Sequence, residues 1–99
     1  MALGDGDIAF AVDLFSDLGS VTIRKMFGGI CLYQGGTVFA LMSSEGRLYL
    51  KSTGDLALEM AGDGAEQFHN MPYWSMPDAA LDDPSEACRL ARQTLALLS

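Results

Sequence analysis

Residues 21–51 form a succession of short runs of β-branched and aromatic residues broken by glycine, and that texture admits few architectures. Four strands are predicted, at 22–27, 30–33, 37–42 and 47–51. The breaks fall at Gly28 and Gly29, at Gln34, Gly35 and Gly36, and at Ser43, Ser44, Glu45 and Gly46. The last two read as tight hairpins, which join antiparallel strands. In the fourth strand strict alternation puts Leu48 and Leu50 on one face and Arg47, Tyr49 and Lys51 on the other. One face therefore belongs to a core, and the other to solvent or a ligand.

Helices flank this block. Over residues 5–18, Ile8, Ala11, Val12, Phe15 and Leu18 recur at helical spacing, with Asp13 and Asp17 opposite them. Asp5 or Asp7 is placed to cap that helix and Gly19 to end it. Phe10 falls outside the apolar stripe, where an aromatic side chain hints at a second contact such as a subunit partner. Leu56, Ala57 and Met60 fit a short helix over 55–62, with Ser52, Thr53 or Asp55 as cap and Gly62 or Gly64 as terminator. Residues 65–68 and 73–76 read as short extended pieces, the second bracketed by Pro72 and Pro77. The last helix has the clearest start: Asp83 caps, Pro84 takes the first position, and Glu86 completes an acidic capping box. Ala87, Ala91, Leu95 and Leu98 then form its buried stripe.

Ninety-nine residues suit one domain spanning 1–99, and a 10.6 kDa chain should expose roughly 5,500 Å² when folded. No purely apolar run approaches the roughly 20 residues needed to cross a bilayer. The amino terminus is acidic where a secretory signal would be basic, so a cytoplasmic location is expected. Cys31 and Cys88 form no CxxC pair and have no histidine at metal-ligand spacing. Both read as buried, reduced thiols, with neither metal nor cofactor implied. A formal charge of −7 disfavours nonspecific attachment to nucleic acid or anionic membrane, though it does not exclude a local nucleic-acid contact.

Arg24, Lys25, Met26, Phe27, Gly28 and Gly29, followed by Leu32 and Tyr33, by Phe39, Ala40 and Leu41, by Leu48, Tyr49, Leu50 and Lys51, and by Tyr73, Trp74, Ser75, Met76 and Pro77, resemble the TfoX amino-terminal domain family. The likeness is ordered and runs essentially from the first helix to the last. It implies an α+β domain in which an antiparallel sheet packs on helices in two layers. The expected order is one helix, three or four strands, a helix, two strands and a helix, similar to secretion-chaperone-like folds. Two-domain members regulate competence for DNA uptake and carry a further carboxy-terminal helical domain, which these residues do not include. The resemblance brings no catalytic residue or cofactor with it. The loop between Phe68 and Tyr73 is short for the family, where that stretch often carries an extra hairpin.

Ahead of residue 88 the only basic residues are Arg24, Lys25, Arg47 and Lys51, all in predicted strands, so an acidic chain concentrates positive charge on its sheet. With Tyr33, Tyr49, Tyr73 and Trp74 close by, they are candidates for an anion- or protein-binding surface, and Phe27, Gly28 and Gly29 adjoin it. The simpler reading is a solvated face paired with carboxylates. Alternation separates Arg24 from Lys25 unless a bulge intervenes. Gly28 and Gly29 match no phosphate-loop pattern and read as a tight turn or bulge. His69 is the single histidine, and a thiol enzyme would need it beside Cys31 or Cys88; a turn histidine is the plainer assignment. Asp78, Asp82 and Asp83 lack calcium-loop spacing, and the methionines Met26, Met42, Met60, Met71 and Met76 read as core filler. The expectation is a noncatalytic cytoplasmic binding or regulatory module acting by protein contacts, and a homodimer. A DNA-linked regulator of competence type is the alternative, and a small thiol enzyme a more remote one.

Overall fold

A hairpin needs a residue pair close enough to be bridged by a tight turn, and three successive ones build most of this protein's sheet. The computed structural model describes residues 4–26, 28–52, 54–62, 64–69 and 71–98. Strands β1 (Val21–Met26), β2 (Gly29–Gln34), β3 (Thr37–Met42) and β4 (Leu48–Lys51) follow one another, and β5 (Tyr73–Ser75) joins later. The sheet order is β1-β2-β3-β4-β5, with every neighbouring pair antiparallel. Gln34 pairs with Thr37, and Gly35 and Gly36 between them have φ of 59° and 84°. Positive φ at both central positions marks the turn whose twist matches the strands it joins, and glycine adopts it without a Cβ penalty.

The helices gather on one face of this meander. They are α1 (Asp5–Leu14), α2 (Gly54–Gly62), the single-turn α3 (Asp78–Leu81) and α4 (Pro84–Leu98). Ala11, Leu14 and Phe15 from the first helical segment, and Ala87, Leu90 and Ala91 from α4, pack on Ile30, Leu32, Ala40, Met42, Leu48 and Leu50 of the sheet. Met60 of α2 and Ala80 of α3 complete this core. The exposed surface of 5661 Å² agrees with the area expected for a compact chain of this mass. Among the described residues no helix is long and apolar enough to cross a membrane.

Several predicted boundaries move, each for a local reason. The first α-helix ends at Leu14 rather than Leu18, and the chain tightens into a 3₁₀ turn over Ser16–Leu18. Side chains from elsewhere supply donors for the carbonyls this frees: the Cys88 thiol to Leu14 (3.5 Å), Arg92 to Asp17 (3.2 Å) and Gln34 to Leu18 (3.4 Å). Gly4, not Asp5 or Asp7, is the cap residue of α1, and the Asp7 carboxylate accepts its N–H at 3.2 Å. At α4 Asp83 caps as expected, accepting from the N–H groups of Ser85 (3.1 Å) and Glu86 (3.4 Å). Glu86 does not close the box. The turn α3, absent from the sequence reading, offers the Ala80 carbonyl to the Asp83 N–H at 3.3 Å, and the Glu86 carboxylate turns to Arg89 instead. That contact holds the Glu86 carboxyl below its usual range. Leu95 of the predicted α4 stripe is half-buried, while Cys88, Leu90 and Thr94, outside that stripe, are buried. The side chain of Leu98 lies outside the described residues.

Candidate functional site

Strand alternation makes a second layer on the sheet's other side, and among the described residues no helix contributes to its packing. Cys31, Leu41, Tyr49 and Tyr73 form a compact apolar cluster there, with Tyr33, Val38 and Phe68 packed against it. Phe68 comes from the connection between α2 and β5 and packs on Tyr49 with its ring tilted, the centroids 4.9 Å apart. That connection is the predicted extended piece at 65–68, and in the fold it makes only an isolated bridge, Gln67 to Trp74. Met26 and Met71 rim a small apolar cleft of about 90 Å³ over Cys31, Leu41 and Tyr73, and the Cys31 thiol donates to the Met26 sulfur at 3.7 Å. Met42, Met60 and Met76 are core residues, as the methionines were expected to be, whereas Met26 and Met71 are exposed.

The cross-strand row Arg24, Cys31, Leu41, Tyr49 and Ser75 fixes what shares this face. Arg24 stands on it, exposed, at the β1 edge; Lys51 stands on it beside Tyr73 and is half-buried. Roughly 14 Å, three inter-strand spacings, separates their strands. Arg47 lies just before β4, its guanidinium carbon 5.6 Å from the Tyr49 ring centroid and its Nη1 3.2 Å from Glu66. The Glu66 carboxylate, a partner the sequence reading did not identify, raises the Arg47 pKa further. Lys25 faces the other side because β1 pairs with β2 without a bulge. Trp74 also faces the helix layer, packed against the core, so it and Tyr73 do not share a surface. Gly28 sits in the β1–β2 turn with φ 79°, Gly29 is the buried first residue of β2, and Phe27 lies outside the described residues.

Among the described residues, Arg47 and Arg89 are ion-paired and Arg92 donates to a backbone carbonyl, while Arg24, Lys25 and Lys51 have no ion-pair partner. Burial pushes the Cys31 and Cys88 thiols up, and pushes the Tyr73 phenol up with Cys31 and Tyr33 adding to it. A neutral thiol is a poor nucleophile. His69 occupies a turn, exposed and with φ 52°, and meets the Phe68 ring edge-on with centroids 4.5 Å apart. No group of three His, Cys, Asp or Glu residues is placed to hold a metal ion among the described residues.

These raised values give a pH dependence with a definite sign. In the unfolded chain the thiols lose their protons near their ordinary value of 9.0, while the folded chain retains them to higher pH. The stability they lend is complete below that value and is lost as pH rises through the folded values. The melting temperature should therefore decline above about pH 9, and alkylation of the native Cys88 thiol, 1% exposed, should run near neutrality only as fast as the fold opens. Fast native-state alkylation would contradict this placement.

A family model described as the TfoX N-terminal domain matches residues 13–97, from the second half of α1 to the end of α4. No curated protein matches the chain.

Proposed function

The chain belongs to the TfoX N-terminal domain family, and from that membership we propose that it works as a noncatalytic cytoplasmic regulatory module that acts by protein contacts on the outer sheet face. One observation carries this reading. The face away from the helices combines an apolar, tyrosine-rich cluster with Arg24 and Lys51, which have no ion-pair partner among the described residues. Aromatic anchors ringed by charge suit protein recognition, where a few such side chains supply most of the energy.

The test is affinity capture from cytoplasm at low and moderate salt, with the wild type against an Arg24→Glu, Lys51→Glu double variant of unchanged melting temperature. Specific protein partners retained by the wild type and lost by the variant are expected. Identical partner sets would defeat the reading. Nucleic acid released steeply by salt would favour a DNA-linked regulator instead.

Self-association belongs to the same proposal. Phe10 is 45% exposed beside a groove of about 340 Å³ that it lines with Leu14, Leu81 and Pro84. Light scattering should give twice the 10.6 kDa chain mass, and the Phe10→Lys variant the single mass. A wild-type monomer well above micromolar concentration would rule this out.

A further inference from the structure

The sheet has two edges, and among the described residues only the β5 edge is covered. On β5 the preceding segment pairs back: Phe68 N–H donates to the Tyr73 carbonyl at 2.8 Å, and Ser75 N–H donates to the Glu66 carbonyl at 2.8 Å. Nothing among the described residues pairs with the free side of β1, a full six-residue strand with four exposed positions. Every second residue of such a strand turns its N–H and C=O away from its one neighbour. These groups form a template for one more strand.

Charge decides which strand fits. From Leu18 through Ser44 the chain holds no aspartate or glutamate, although it carries −7 overall; its only charges there are Arg24 and Lys25, adjacent on β1 and facing opposite sides of the sheet. Neither has an ion-pair partner among the described residues. A second copy of β1 added antiparallel and centred on Arg24 would set that residue against itself, and one centred on Lys25 would do the same to the lysine, both unfavourable. A strand bearing carboxylates would meet a cation on each face, at distances within the screening length of about 8 Å at physiological salt. We propose that β1 accepts an extended acidic segment of a partner protein by main-chain pairing, with Arg24 and Lys25 selecting its charge. This rests on the protein-contact reading above and names the partner's chemistry.

The experiment uses the full chain, isotope-labelled, and a short blocked peptide of alternating glutamate and valine. Binding should slow solvent exchange of β1 amides and leave those of β5 unchanged. Arg24→Glu with Lys25→Glu should weaken binding about tenfold, and a peptide with lysine in place of glutamate should restore it. The same acidic peptide N-methylated at alternate residues keeps its charges but cannot pair, so it should not protect β1. Because this change is in the probe, protein folding does not affect it. Equal protection by the methylated peptide, or unprotected β1 amides at saturating peptide, would overturn the proposal; so would protection of β1 by raising the protein concentration alone. If β1 stays silent while the Arg24 and Lys51 variant still loses captured partners, strand addition fails and the outer-face reading stands. If capture is unaffected as well, both fall.

Discussion

Gly29→Ala is expected to cost at least about 3 kcal/mol of folding free energy, the upper end of overpacking. Gly29 opens β2 where the β1–β2 hairpin passes over the end of β3. A Cβ there would lie 2.1 Å from the Met42 carbonyl oxygen, with the Ser43 carbonyl carbon at 3.1 Å. Both obstacles are backbone, so no rotamer change relieves them, and Met42 pairs with Ile30 in the next register position. Gly28 is the control. Its φ of 79° disfavours any side chain, but a Cβ would meet only the Ser44 Cβ at 3.4 Å. Gly28→Ala should therefore cost about 1–2 kcal/mol, the left-handed penalty alone. Chemical denaturation of the two variants checks the order. Equal losses would mean that the close approach of β2 to β3 has been misplaced.

Phe39→Ala should remove about 4 kcal/mol, most of the stability of a small domain. Phe39 is fully buried and meets Phe15 edge to face, with centroids 5.1 Å apart and planes at 86°. It reaches the helix-side core only because the β2–β3 register shifts there: Leu32 pairs with Ala40 but Tyr33 pairs with Val38, so Phe39 is the extra residue of a bulge. Without that bulge, alternation would place Phe39 with Leu41 on the outer face. A Phe15→Ala, Phe39→Ala double variant should show coupling of about 0.5–1.5 kcal/mol between the rings. Phe10→Ala, at an exposed position, should change stability by less than about 0.5 kcal/mol. A Phe39 variant as benign as the Phe10 variant would contradict the assigned core.

The hairpins were legible because their signals are local: glycine at turns and β-branched runs between them are readable without knowing the rest of the fold. Asp83 and Pro84 likewise announced α4. The bulge at Phe39 gave no such signal, since an extra residue is defined only against its partner strand. The early end of α1 was hidden for a similar reason, because Cys88, Arg92 and Gln34, which take its last carbonyls, lie far along the chain. For the site, alternation correctly separated Arg24 from Lys25 and placed Arg47, Tyr49 and Lys51 together. It could not foresee that Trp74 turns to the core while Tyr73 faces outward, because the pairing of β5 was not readable. Nor could it see Phe68 folding over Tyr49, or Glu66 neutralising Arg47. Nothing in the local pattern assigned Leu41, Val38 or Cys31 to one face of the sheet. Only the strand order reveals that they form a separate layer on the face that carries Arg24 and Lys51.

The most direct test of that face as the working surface is site-specific photo-crosslinking. A photoreactive residue would replace Thr22 or Lys51 on the outer side, and Leu58 or Gln93, exposed on α2 and α4, on the helix side. Partner-specific adducts should form at Thr22 and Lys51 and remain at background at Leu58 and Gln93. Adducts concentrated at Leu58 or Gln93, with none at the sheet positions, would place the protein's contacts on its helices and contradict the account.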